Sequence, residues 1–336
     1  MPDPARRPAP PTSIDATVPL GTVAHGADTV DLTRPFGAHV RLLWWQPLLL
    51  GAAIAVCLLG FQLAAWAVVG VIEGSDDPFS SEFTPLKSAA ANLSIAATGV
   101  VAVLLLMRMT GASWRLLLSP RRAFDRRRLV HYLAAALPLV AAGLATMGLV
   151  APEATPWTAF GISGTTVALL AVTLLTTPLQ AAGEELTYRG VLLPAAASWV
   201  RATRPALALG LAVSVVVFAA AHGATDPWLA GYFALIAVCT GLMAILSRGL
   251  EASIAFHVVN NVLLGVVNNV MAAGGTSTVD RSTETGGPPL LILAAMNVCM
   301  LVIVWLHERR AARRRRSAPG QAVPSGTGQA NRSSPA

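Results

Sequence analysis

The chain has 336 residues, of which 54% are hydrophobic and 12% charged, with a formal net charge of +7. A soluble domain of this length needs far more charged surface, so the composition excludes a water-soluble enzyme and predicts an all-α, polytopic membrane protein. The positive charge is collected in short arginine runs, which speaks for membrane topology and against a nucleic-acid partner.

Residues 1–40 are rich in Pro, Thr and Asp and lack a basic-then-apolar signal pattern, so a disordered N-terminal tail is expected there. A membrane domain follows over 41–306. Eight apolar segments are expected near Trp45–Ile72, Ser88–Met109, Val130–Val150, Trp157–Ala182 (running on to Val200), Ala206–His222, Trp228–Leu246, Ala252–Ala273 and Pro289–Leu306. Most approach the ~20 residues that cross a bilayer core. The fifth is short, and the sixth carries Gly231 and Gly241.

Loop charge alternates along these segments. Acidic Glu73, Asp76, Asp77 and Glu82 follow the first, and seven arginines between Arg108 and Arg128 follow the second. Glu153 follows the third, and Arg189, Arg201 and Arg204 follow the fourth. Asp226, Arg248 and a Gly/Thr-rich loop with Arg281 come next, and the eighth ends in Arg309, Arg310 and Arg313–Arg316. Positive loops stay inside, so both termini are expected in the cytoplasm. The tail over 307–336 is basic and then Ser/Gly/Pro-rich, and its arginines read as a stop-transfer flank or as a site for anionic lipid. Cys57, Cys239 and Cys299 lie in separate segments and read as buried apolar residues.

The chemistry concentrates in Gly183-Glu184-Glu185-Leu186-Thr187-Tyr188-Arg189-Gly190. Two carboxylates and a guanidinium inside an apolar segment carry insertion penalties of a few kcal/mol each and mark function. A helix turns about 100° per residue, so Glu184 and Glu185 face different ways. Glu185 and Arg189 are spaced for a same-face ion pair. That leaves Glu184 needing a partner from another helix, with Tyr188 one turn below it. Two histidines on later segments are available. His222 shares a helix face with Phe218, and His257 shares one with Asn261.

Heights test these pairings. Glu184 lies roughly 16 residues (~24 Å) before the turn near Arg201–Arg204, and His222 lies roughly 17 (~25 Å) after it, so the two come level in an antiparallel pair. His257 is only about 10 Å beyond its preceding turn. It would sit below His222 unless helices tilt or the sixth segment is partly looped. Each piece also has a plainer reading: a structural ion pair, an interfacial histidine, or an interhelical hydrogen-bond site at His257 and Asn261.

Glu-Glu-x-x-x-Arg, Phe-x-x-x-His and His-x-x-x-Asn, in that order on successive membrane segments, resemble the CPBP intramembrane proteases. That family includes the type II CAAX prenyl endopeptidases and the bacteriocin-processing or immunity (Abi) proteins. The resemblance covers roughly 168–270, in the wording EELTYRG, FAAAHG and FHVVNN. It implies an endopeptidase acting near the cytoplasmic membrane face. Glu184 would activate water with help from His222, while His257 and Asn261 would stabilise the oxyanion. Glu185 and Arg189 would be the supporting pair, with Phe218 beside them. Tyr188 would pack beside Glu184 or touch substrate.

A metal version uses the same atoms, with Glu184, His222 and His257 as a His₂Glu zinc set. No His-Glu-x-x-His motif is present, and no other cofactor is implied. The remaining histidines, His25, His39, His131 and His307, read as interfacial, and Asn260, Asn268 and Asn269 as interhelical hydrogen bonders. Gly161, Ser163 and Gly164 read as small residues at helix contacts.

Two other functions use the same residues. One is a non-catalytic immunity or secretion-accessory membrane protein. The other is a proton-relay transporter, which predicts inverted repeats, whereas the polar residues here all lie in the second half. The expected partners are the bilayer and a peptide or membrane-protein substrate, and the composition points to a bacterial plasma membrane.

Overall fold

The computed structural model describes residues 29–80, 83–276 and 286–317, with side chains to 314. The helices are α1 (Gln46–Glu73), α2 (Pro85–Thr110), α3 (Trp114–Leu118), α4 (Arg126–Val150), α5 (Gly164–Leu175) and α6 (Thr177–Glu185). A π-helical turn (Leu186–Leu192) follows, then α7 (Leu193–Ala197), α8 (Thr203–Ala221), α9 (Pro227–Ser247), α10 (Glu251–Val270) and α11 (Leu290–Ser317). Counting α5 to α7 as one span, eight helices among the described residues are long and apolar enough to cross a membrane, as the hydropathy pattern predicts. Much of their apolar surface faces outward: Val71 and Leu149 are each 84% exposed, as lipid-facing side chains should be.

Polar residues at the boundaries start and stop these helices. Thr84 accepts from the Lys87 amide, Asp125 from Arg127 and Arg128, and Asp226 from Leu229. Ser163 and Thr166 form a reciprocal capping box at α5. Each cap satisfies amides that no preceding turn reaches.

Two large apolar clusters hold most of the core among the described residues. One gathers Leu50, Ile54, Leu106, Val191, Phe218 and Ile236, and the other Tyr132, Val140, Met243, Phe256, Met300 and Val304. Helix α6 packs against both α2 and α10, so its side chains reach the space between the two halves.

Two expectations change, at the start of the fourth segment and in residues 29–40. The fourth segment does not begin as helix at Trp157. Residues 157–163 run extended beside the end of α10, with Thr158 N–H donating to the Met271 carbonyl (2.9 Å) and Ala273 N–H to Ala159 (2.8 Å). Pro156 and Gly161 disfavour a helix there.

The sixth segment is a continuous helix despite its glycines. Gly241 accommodates Leu211, since a Cβ there would lie 2.5 Å from its Cδ1.

Residues 29–40, expected within a disordered tail, are packed, and the preceding residues and His25 lie outside the described ones. Phe36, Ala38, His39 and Val40 are buried, and His39 is not interfacial. Its Nδ1 accepts from Gly37 N–H (3.2 Å), so Nε2–H donates to the Leu117 carbonyl (2.8 Å). Thr29 bonds to the Thr110 carbonyl (2.7 Å), Arg121 to Leu32 (3.0 Å), and Trp199 to Trp44 (2.7 Å). Gly37 has φ +87° and comes so close to the bundle that a Cβ would lie 2.6 Å from Leu193. The composition of this stretch is tail-like, but contacts with distant loops hold it in place.

The same end of the bundle is tied by charge. Arg122 and Arg128 both reach the Ser247 carbonyl (2.9 and 3.2 Å), and Arg122 clamps the buried Glu251 at the start of α10. Arg128 and Tyr132 meet Glu308 of α11, the tyrosine at 2.6 Å. His307 accepts or donates to Tyr132 Oη at 3.0 Å and lies beside His131.

Candidate active site

Glu184 stands where α6 and α2 cross backbone to backbone. A Cβ on Gly99 would lie 2.5 Å from the Gly183 carbonyl oxygen, and one on Gly183 would lie 2.6 Å from Ala96 Cα. Only glycine at both positions permits this approach. Immediately beyond Glu185 the helix widens into the π-helical turn, with Leu193 N–H reaching back to the Tyr188 carbonyl. Ser214 of α8 donates to that same carbonyl (3.0 Å), and Pro194 has no N–H for a regular α-helical bond to Gly190. Wide turns of this kind recur at functional sites.

A chain of polar side chains runs through the crossing. Arg189 Nη1 lies 3.1 Å from Glu185 Oε1, with both side chains fully buried. His257 Nδ1 is 2.8 Å from the same Glu185 oxygen, and its Nε2 is 3.3 Å from Glu184 Oε2. Gln180, one turn before Glu184, donates to Glu184 Oε1 at 2.7 Å. Asn261 donates to Gln180 Oε1 at 3.2 Å and accepts from Asn260 at 3.1 Å. The expected Glu185–Arg189 pair is therefore formed, and the π-turn does not break it.

His257 therefore has one hydrogen bond in the trio of Glu184, His257 and Glu185, Nδ1 with Glu185, while its Nε2 approaches Glu184 Oε2 at 3.3 Å without bonding it.

Phe218 is the common wall of the site. Its ring lies 4.5 Å from the Arg189 guanidinium carbon, 5.0 Å from the Tyr188 ring and 4.5 Å from the His222 ring. Among the described residues no acceptor hydrogen-bonds the guanidinium nitrogens, so Glu185 and the Phe218 face supply its compensation. His222 follows the last residue of α8, and its Nδ1 donates to the Phe218 carbonyl (2.8 Å). The ring stacks on Phe233 at 4.1 Å.

Glu184, Tyr188, His222 and Asn261 line a cavity of about 610 Å³. The height argument for Glu184 and His222 thus agrees with the structure. Glu184 is the only acidic or basic residue (histidine aside) on the described lining, and the rest is largely amide, hydroxyl and aliphatic. His257 does not line the cavity. It reaches Glu184 from below, because α10 enters from the arginine-rich end and α9 contains no loop to raise it. Its ring lies between the two carboxylates, 2.8 Å from Glu185 Oε1 and 3.3 Å from Glu184 Oε2.

The His₂Glu zinc set is not gathered either. Among the described residues no group of three or more His, Cys, Asp or Glu side chains could hold a metal ion. Both ring nitrogens of His257 already face carboxylates, and His222 is turned onto the Phe218 carbonyl.

Sequence reasoning missed Gln180, Gly99 and Ser214. Gln180 carried a usable signal, an amide four residues before an acidic residue in an apolar segment. Gly99 carried none, because its meaning lies in the helix it meets.

Residues 163–263 match the family model described as "Type II CAAX prenyl endopeptidase Rce1-like". The match spans α5 to Leu263 of α10 and contains all three motifs. It supports the CPBP/CAAX-protease family for this segment, and with it an integral membrane protein of intramembrane-protease type. No curated protein and no solved structure matches the chain.

Proposed function

We propose that the cavity is the active site of an intramembrane endopeptidase of a bacterial plasma membrane, with Glu184 as general base. The observation that supports this best is the position of Glu184. It is the one carboxylate on the described lining of the cavity, held through Oε1 by Gln180 and faced at Oε2 by His257.

In the proposed reaction, a water between Glu184 and the scissile carbonyl gives its proton to Glu184 as its oxygen attacks the carbonyl carbon. The oxyanion that forms accepts a hydrogen bond from an Asn261 Nδ2–H, with the His222 ring on the same wall. On collapse the C–N bond breaks, and Glu184 returns its proton to the leaving amine. His257 acts as a positioning residue that orients Glu184, and Glu185 with Arg189 holds His257. This differs from the role the family resemblance suggested for His257.

The lining suits a peptide in extended form. Asn and Gln amides with Thr hydroxyls can bond its backbone, while no charged side chain but Glu184 selects for a charged residue.

The test is hydrolysis of a quenched peptide library by detergent-purified protein. Glu184→Gln should abolish cleavage, a loss of about 10²–10⁴-fold or more for a base, while eluting as the same folded species. Chelator should leave wild-type turnover unchanged. Retained activity in Glu184→Gln, activity restored by zinc after chelation, or an inert wild type would each overturn the proposal. The last outcome would favour the accessory-protein reading.

A further inference from the structure

We infer that substrate reaches Glu184 from the membrane face opposite the arginine-rich end, so that the substrates are exported peptides or the outward-facing segments of membrane proteins. The inference rests on the endopeptidase reading and specifies which side of the membrane it serves.

The cavity occupies one half of the bundle. From Glu184 it runs along the first half of α2 (Ser88, Asn92) and the last turns of α10 (Asn268, Asn269) to His222 at the end of α8. Those helix ends all belong to one face, the face of Glu73, Asp76, Asp77, Glu153 and Asp226, where Lys87 is the one described Lys or Arg. No residue of the arginine-bearing connections (111–125, 198–202, 248–250) is on the described lining.

The other half is closed. Residues 29–45 lie across it, with Phe36 in a cluster with Ala244 and Leu250, Gly37 against Leu193 and Leu207, and Arg34 donating to the Val200 carbonyl (3.3 Å). Below Glu184 the path meets Glu185, Arg189 and His257, which are packed and paired, and then this strap. Arginine-rich loops stay in the cytoplasm. The open face is then the outer one, and the expectation of cleavage near the cytoplasmic face is reversed. A cytoplasmic, prenylated Cys-a-a-X carboxyl terminus would meet the closed end.

Single cysteines in a background with Cys57, Cys239 and Cys299 replaced by Ala test this without any need for turnover. Thr177→Cys and Ser88→Cys line the cavity, Asp76→Cys marks the acidic face, and Arg310→Cys the arginine-rich end. In spheroplasts, a membrane-impermeant maleimide should label Thr177→Cys, Ser88→Cys and Asp76→Cys and leave Arg310→Cys unlabelled. In inverted vesicles the pattern should exchange. Labelling of Thr177→Cys or Ser88→Cys from the inverted side alone, or of Asp76→Cys from that side, would overturn the inference. A quenched peptide library added to the two preparations supplies the second arm. Hydrolysis that Glu184→Gln abolishes should appear with spheroplasts and not with inverted vesicles, and the reverse would overturn the inference. Correct labelling with no hydrolysis in detergent would instead refute the endopeptidase reading alone.

Discussion

Arg189 and Glu185 offer the sharpest quantitative test of the site. Both side chains are wholly buried, with Nη1 and Oε1 3.1 Å apart. At that separation and an effective dielectric of about 20, their attraction is roughly 5 kcal/mol before desolvation is counted. Arg189→Met removes the cation, leaves Glu185 to His257 and Ser253, and strips the Phe218 face of its guanidinium. Glu185→Gln leaves a guanidinium for which the described residues supply no hydrogen-bond acceptor. Breaking a buried pair from either side costs about 3–5 kcal/mol, because an uncompensated charge remains. The double variant removes both charges and should cost less than the sum by about 2 kcal/mol or more. The assay is reversible or scan-matched thermal unfolding in detergent. At roughly 2–4 °C per kcal/mol, each single variant should lower Tm by on the order of 10 °C, with partial recovery in the double. Single variants with wild-type Tm, or losses that simply add, would refute the claim that this pair is a coupled, desolvated unit.

Two further outcomes are expected. Gly99→Ala puts a Cβ 2.5 Å from the Gly183 carbonyl oxygen and must push α2 off α6. Overpacking of this kind costs about 1–3 kcal/mol, and peptide cleavage should fall with it because Glu184 moves; a fully active, equally stable Gly99→Ala would show that the crossing does not position the base. His39 concerns pH. Burial pushes its pKa down to about 4 from the ordinary 6.5. The native ring therefore stays neutral while the unfolded ring takes up a proton, so this stability is present above pH 6.5 and is lost as pH falls toward 4. The full effect is about 3 kcal/mol at 1.36 kcal/mol per pKa unit. His39→Gln should lack this share of the acid destabilisation, and an unchanged Tm difference between pH 7 and pH 5 would contradict the packed strap.

Some of this was determined by sequence alone. Eight spans, an all-α fold, the Glu185–Arg189 pair and the level placement of Glu184 and His222 follow from hydropathy, helical periodicity and rise per residue, which act along the chain. The site's chemistry was legible because charged groups are costly in an apolar segment and so stand out. The height mismatch at His257 was also legible. It was a correct signal that this ring lies below the cavity, and no loop in α9 removes it.

What tertiary structure decided depends on lateral approach between distant segments. Gly99 and Gly183 matter only because they face each other. His257 reaches both carboxylates only because α10 lies against α6. Residues 29–40 of the strap looked like a tail, since Pro-rich and polar composition reports a weak local preference, and contacts of the strap to 110–121, 199–200 and 244–250 override it. Which end of the bundle is open follows from that same packing. Hydropathy counts how often the chain crosses the membrane, whereas the space left between helices is set by side-chain volumes that meet only after folding.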